Sequence, residues 1–382
     1  VLNPVGDDEW DLYEVKSSTS AKDVNLDDVA FQHFVCTGAG LKIRRSHLTY
    51  INNEYERRGT IDPQGLFTAE DITREVRLHQ PKIGSRITSM EKTIARASSP
   101  DVTIGKHCSH PYECPMREHC WAFLPEHNVF DFYRGGKKIW KLFTEGTLGI
   151  ADADAENLNA RQQIQREAVL SGEPHVNLTG LRSFLDKLRY PLHFLDFETF
   201  ATAIPLFDGV RPYQQIPFQF SLHIQQEPGG DLEHHGYVAE GQVDPRRGFM
   251  AQRQPLLGNG GSVVVYNASF ETGRLREMAE VLPEYRSWVK AVEKRIVDLL
   301  VPFRAFDYYH PDQHGSASIK SVLPVLTGRG YDELEIQEGG TASLEFLRVT
   351  FGDVPERERQ RIRRALEEYC AMDTEAMVWI IC

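Results

Sequence analysis

The stretch His193-Phe194-Leu195-Asp196-Phe197-Glu198-Thr199-Phe200 decides how the rest of the chain is read. A strand turns successive side chains to opposite faces, so Asp196 and Glu198 point the same way out of an apolar and aromatic run. Two carboxylates side by side at the end of an apolar strand repel each other and lose hydration. A divalent cation compensates that cost, and further acidic ligands are then expected elsewhere in the chain.

On the N-terminal side, residues 181–188 have helical periodicity, and Tyr190-Pro191 stops the helix just before the acidic strand. On the C-terminal side, residues 216–224 alternate as a second strand and residues 236–238 open a third, giving an antiparallel meander. The β-branched run of residues 261–266 reads as a buried strand. It leads into Asn267-Ala268-Ser269-Phe270-Glu271 and an amphipathic helix over residues 272–281. Glu271 therefore sits at the carboxyl edge of the sheet, where open α/β sheets bind ligands; a first-turn acid facing the helix dipole is the plain alternative. Residues 361–381 read as one helix in which Tyr369 and Asp373, four apart, share a face. A core tyrosine beside an unrelated acid is the bland version of that pair.

Taken together, Asp-x-Glu on a strand, Asn-x-x-Phe-Glu after a later strand and Tyr-x-x-x-Asp on the last helix resemble the DnaQ-like (ribonuclease H-like) 3′–5′ exonucleases. Glu368 stands where one subgroup carries His, so the chain is similar to the Tyr-containing, DEDDy-type subgroup. Glu271 departs from the Asp usual in the second motif, adding a methylene and keeping the charge. The resemblance implies that Asp196, Glu198 and Asp373 hold one Mg²⁺ or Mn²⁺, with Asp196 bridging to a second ion near Glu271. It further implies that Tyr369 orients the attacking water, and that in-line hydrolysis of the terminal phosphodiester of DNA or RNA releases a nucleoside monophosphate.

The N-terminal part reads differently. Residues 1–18 form a hairpin with its turn at Gly6-Asp7-Asp8-Glu9, and Glu14 and Lys16 share one strand face. A carboxylate and an ammonium two apart suit metal-assisted phosphodiester hydrolysis, although such pairs also alternate on many exposed strand faces. An apolar-faced helix containing Gln32 follows, then Gly38-Ala39-Gly40 and the strand Leu41-Lys42-Ile43. This order resembles the RecB-like branch of the PD-(D/E)XK nucleases, with Glu14, Lys16 and Gln32 as its site residues. The preceding-strand Asp of that family has no match: Asp11 has the wrong parity, Asp7 and Asp8 belong to the turn, and the residue is expected ahead of Val1. Cys108, Cys114 and Cys120 lie within thirteen residues, a spacing that reads as metal binding. Zinc completed by His107, His110 or His119 is one solution. The resemblance to RecB-like iron–sulfur nucleases implies a 4Fe-4S cluster instead, its first cysteine again expected ahead of Val1.

Composition bounds these readings. A chain of 382 residues exceeds the size of one core, so an α/β (α+β) protein of more than one domain is expected. The parts are a partial RecB-like nuclease domain with its cysteine cluster over residues 1–125, a helical linker over 126–180, and a ribonuclease H-like domain with a mixed sheet flanked by helices over 181–382. The formal net charge of −12 argues against broad non-specific nucleic-acid binding through a positive surface, though an acidic metal site adds to that charge itself. No apolar run reaches the roughly 18 residues of a membrane span, and six cysteines are too few for a disulfide scaffold. The expected protein is thus a cytoplasmic nuclease whose partner is nucleic acid, with no membrane; its protein partners are not legible. The two parts together resemble an uncharacterised bacterial family without an established substrate. The rival reading is a catalytically degenerate nucleic-acid-binding or scaffold module stabilised by the iron–sulfur cluster or zinc.

Overall fold

Two sheets with helices against them account for most of the architecture, which a computed structural model describes over residues 1–382. The chain divides into two units, Val1–Ala122 with Thr202–Gln214, and Phe123–Ala201 with Gln215–Cys382. Both are mixtures of strand and helix, as the α/β reading expected.

In the first unit a four-stranded sheet runs in the order Leu2–Gly6, Glu9–Lys16, Lys42–Ile51, Phe67–Asp71. Asp7 and Asp8 take left-handed φ values of 46° and 60°, the backbone of a tight hairpin turn whose twist matches its strands. Glu9–Lys16 pairs parallel to Lys42–Ile51, so the chain must cross over between them, and helix Asp23–Gly38 makes that crossover. Leu12 and Leu48 from the sheet meet Val29 and Ala30 of this helix and Val76 and Ile83 of helix Thr73–Ile94 in one core. The Asp71 carboxylate accepts from the Thr73 N–H at 3.0 Å, satisfying the first free N–H of that second helix. Residues 202–214 belong here because their backbone is tied to it: Gly209 N–H donates to Arg57 O at 2.9 Å, and the Tyr213 hydroxyl donates to Ser17 O at 2.8 Å.

The second unit is built on a five-stranded mixed sheet in the order Ile296–Asp298, Ser262–Val265, Leu192–Phe200, Ile216–Gln225, Leu232–Val238. The first three strands are parallel to one another, and the last two continue as the antiparallel meander. The quoted stretch is the central strand, and its period of two divides the interior. Leu195 and Phe197 enter a core with Phe249, Leu275, Met278 and Val292. Leu192 and Phe194 face the other way, onto Met377 and Val378 of the terminal helix Glu356–Ile381. Asp196 and Glu198 share that second face. Fully buried Leu366 and Met377 each stabilise the helix docking by about 1.5–3 kcal/mol, and the Thr374 hydroxyl adds hydrogen bonds to Ser221 Oγ at 2.7 Å and His223 Nδ1 at 2.8 Å.

Residues 126–180 are not a linker between domains. Val129, Phe132, Ile139, Leu142, Ile150 and Leu158 close a core of their own, Ala168 packs with Phe306 and Tyr309, and the whole stretch falls in the second unit. No helix is long and apolar enough to cross a membrane.

Gly261 has φ +74°, and a Cβ there would lie 1.9 Å from Pro191 O, where the chain passes between the central strand and its parallel neighbour. Gly261→Ala is expected to destabilise the protein by more than about 1–3 kcal/mol, read as a lower denaturation midpoint at unchanged slope.

Candidate metal centre

Three elements bring acids to the end of the central strand. Asp196 and Glu198 come from the strand itself, just before a bulge between Glu198 and Thr199. Asp373 and Tyr369 come from the terminal helix, one turn apart. One carboxylate oxygen each from Asp196, Glu198 and Asp373 lies within 4.8 Å of the others. Glu271 comes from the first turn of helix Ala268–Val281, reached through Asn267, whose left-handed φ of 80° makes the sharp strand-to-helix turn. The Asn267 N–H is held by Asp298 Oδ1 at 2.9 Å, so the neighbouring parallel strand anchors that turn. These groups and Lys320 line a cavity of about 220 Å³.

Several contacts hold the carboxylates in place. The Tyr331 hydroxyl donates to Asp373 Oδ1 at 2.7 Å, and the Cys370 thiol points at Asp196 Oδ2, 3.6 Å away. Helix Gly339–Phe351 begins against Glu198; a Cβ on Gly339 would lie 3.0 Å from Glu198 Oε2, so the absence of a side chain lets the backbone approach. Glu271 is 2 % exposed, and its Oε2 has no hydrogen-bond partner.

The electrostatics are those of acids crowded out of water. Burial, and then the charges of Asp373, Glu198 and Glu271, hold Asp196 well above the ordinary carboxylate range. Burial and Asp373 push Glu198 up to about 7, against the pull of Lys320 and the Tyr369 hydroxyl. Burial raises Asp373 to about 6, with Tyr331, Lys320 and Tyr369 opposing. Glu271 reaches about 8, mainly through burial, with Asp298 and Glu198 adding repulsion. Burial also lifts the Tyr369 phenol far above its usual range, so it remains a hydrogen-bond donor. Such a set fits a divalent cation: hard oxygen donors converge, they repel without one, and one buried oxygen lacks any partner.

The expected first-unit residues also come together, with one addition. Lys16 Nζ donates to Glu14 Oε1 at 2.6 Å and to Asp28 Oδ2, while Gln32 Nε2 donates to Asp28 Oδ1 at 3.2 Å. Burial opposes the charge on Lys16, but its two carboxylate partners outweigh that and raise its pKa. Asp11 is spent elsewhere, bound by both Nε and Nη2 of Arg44 at 3.0 and 2.6 Å. Cys108 is buried, Cys114 half-buried and Cys120 exposed. Their sulfurs do not form a group within 4.8 Å, the closeness one zinc ion requires. A four-iron cluster holds its thiolates farther apart than a single ion does.

Sequence reasoning did not single out Asp28, Lys320, Tyr331 or Asp298. Asp28 had a signal, since it lies four before Gln32 on one helix face. Lys320 and Tyr331 had none, because neither lies in a patterned relation to the acids it meets.

A family pattern described as Domain of unknown function (DUF2779) matches residues 193–318, which include Asp196, Glu198, Glu271 and Asp298. The chain is 28% identical over 214 residues to the uncharacterized protein MG366 of Mycoplasma genitalium, covering 51% of this chain and 32% of that protein. It is 27% identical to the homologue in Mycoplasma pneumoniae, over 52% of this chain and 33% of the relative, and 26% identical to the uncharacterized protein UU173 of Ureaplasma parvum, over 50% and 31%. The matches thus span about a third of the length of these relatives. No solved structure matches.

Proposed function

We propose that the second unit is a metal-dependent nuclease, a 3′–5′ exonuclease that hydrolyses the terminal phosphodiester of single-stranded DNA or RNA. The observation that carries the reading is the convergence of Asp196, Glu198 and Asp373 within 4.8 Å, with the unpartnered carboxylate of Glu271 lining the same cavity. Asp196, Glu198 and Asp373 would hold one Mg²⁺ or Mn²⁺, and Glu271 with Asp196 a second. Cations held there supply Lewis acidity, lowering the pKa of water and neutralising phosphate charge. The chain's own groups do the rest. The Tyr369 hydroxyl, kept protonated by its burial, orients the attacking water. Lys320, lining the cavity with the acids, places a positive charge where a phosphate enters.

The surroundings support a polyanionic substrate. A second hollow of about 530 Å³ shares Tyr266, Asn267 and Ile319 with the acidic cavity and is lined further by Tyr133, Arg134, Arg304 and Ser318. Arginines bind backbone phosphates, and tyrosine faces stack bases without sequence preference. On a chain of net charge −12 such a local patch matters more than the overall field. In the first unit, one observation favours the second reading: Glu14 and Asp28 already share Lys16 as their counter-charge. We assign that unit a nucleic-acid-binding or scaffold role, with Cys108, Cys114 and Cys120 ligating a 4Fe-4S cluster.

Three measurements test this. Asp196→Ala is expected to remove several kcal/mol of transition-state stabilisation, about a 1,000-fold loss or more of Mg²⁺- or Mn²⁺-dependent mononucleotide release from 5′-labelled single strands; undiminished cleavage overturns the assignment. In the Asp196→Asn protein without metal, adding Arg134→Ala and Arg304→Ala is expected to weaken single-strand binding several-fold and flatten its salt dependence. The third is a pH effect. Folding raises the acids to about 6 for Asp373, about 7 for Glu198 and about 8 for Glu271, so their protonated forms favour the fold, fully at low pH. Metal-free protein should lose that stability as pH rises from about 4, where the same acids titrate when unfolded, to about 8. Saturating Mn²⁺ should restore the melting temperature most at the upper end.

A further inference from the structure

A second convergence of ligand groups lies in the same unit and has no part in the proposed hydrolysis. His127, Asp131 and His314 each offer an atom within 4.8 Å of the others. His314 Nδ1 is 3.2 Å from Asp131 Oδ2, and the two imidazoles stack with centroids 5.2 Å apart. Asp312 stands beside them, its Oδ1 3.8 Å from His127 Nε2.

Each ligand is positioned by backbone contacts that need no ion. His127 O accepts from Ile150 N–H at 2.9 Å, and the His314 N–H donates to Pro311 O at 3.0 Å. The Asn128 N–H donates to Asp131 Oδ2 at 3.3 Å, and Gln165 Nε2 holds Asp131 O at 2.9 Å. Gly315, with φ +74°, lets the chain after His314 pass against Asp131; a Cβ there would lie 1.9 Å from Asp131 O. The two segments, 183 residues apart in sequence, are thus preorganised.

We propose that His127, Asp131 and His314 form a transition-metal site, most suited to Zn²⁺, with Asp312 or water as the fourth ligand. The donors decide the metal. Two imidazole nitrogens and a carboxylate suit zinc and its neighbours, whereas the all-oxygen set at Asp196 suits Mg²⁺ or Mn²⁺. An ion here ties the segment of residues 127–131 to the turn Pro311–Gln313 and His314, which leads directly into helix Ile319–Thr327 and so to Lys320. The site is structural: it links two segments far apart in sequence, and it does not touch the cavity that holds the carboxylates.

The test uses the full chain, stripped with a chelator, dialysed against Zn²⁺ with excess Mg²⁺ to saturate the oxygen donors, and analysed for zinc. Thiolates elsewhere in the chain contribute equally to both proteins, so the difference is what is read. Wild type is expected to retain about one zinc ion more per chain than His314→Ala, and to gain several degrees more in melting temperature on zinc addition. His314→Cys, which restores a zinc ligand, should recover most of the lost zinc. Asp131→Asn, read in the same way, covers the case in which His314→Ala fails to fold. With Co²⁺ in place of zinc, the difference spectrum between wild type and His314→Ala should show visible d–d bands and no sulfur charge-transfer band. Equal zinc content and equal thermal shift in wild type and the folded variants overturn the proposal.

Discussion

Mutual repulsion among Asp196, Glu198 and Asp373 is the constraint on which the second unit turns. Three carboxylates within 4.8 Å of one another, two of them raised to about 7 and about 6, would drive a loosely held structure apart. The fold resists because the acids sit on its stiffest parts. Asp196 and Glu198 belong to the central strand, which is paired on both sides up to Phe194 and at the two acids themselves is held by the antiparallel neighbour, Asp196 opposite Ser221 and Glu198 opposite Gln219. Asp373 rides on a helix whose neighbours Leu366, Met377 and Thr374 are fully buried. Apolar burial thus holds in place a polar arrangement that would not assemble by itself, which is how preorganised sites store their cost.

The two faces of that central strand handle charge in opposite ways. On the face away from the acids, Arg253 is fully buried, with its guanidinium 4.7 Å over Phe249, 5.3 Å over Trp288 and 5.5 Å over Phe197. Burial lowers its pKa to about 9, and its Nε and Nη1 have no hydrogen-bond partner. Aromatic faces offset part of the cost of an unpaired cation. A carboxylate has no equivalent, because the ring face is negative, so the acids on the other side are left raised by their burial.

How much of this was legible in the sequence follows from which interactions leave a local pattern. Alternation exposed the Asp196–Glu198 strand and the meander, since one-residue shifts would reverse every side chain. Helical spacing exposed Tyr369 with Asp373, and the turn at Asp7-Asp8 was readable from its residues. Residues 126–180 were read as helical, and helices Lys137–Thr144 and Ala160–Ser171 are there; what leaves no local pattern is the small core that Val129, Phe132, Ile139, Leu142, Ile150 and Leu158 close between them. The return of residues 202–214 to the first unit was invisible for another reason: it rests on long-range hydrogen bonds such as Gly209 N–H to Arg57 O and the Tyr213 hydroxyl to Ser17 O, which join residues about 150 or more apart and leave no local pattern. Lys320 and Tyr331 reach the acids through tertiary packing alone.

The two units handle carboxylate charge in different ways. Glu14 and Asp28 are carboxylates close in space, as Asp196 and Asp373 are, but Lys16 lies between them with one ammonium for both. That internal cation lowers Asp28 below its ordinary value despite burial; the pocket acids of the second unit are all raised. A site that supplies its own counter-charge competes with an external ion, because the ion must first displace a hydrogen-bonded ammonium. In the second unit burial and mutual repulsion raise the acids, and Lys320, Tyr331 and Tyr369 offset only part of that. Similar residue types two positions apart on a strand, Glu14-x-Lys16 and Asp196-x-Glu198, therefore lead to different outcomes, and the sign of one side chain makes the difference.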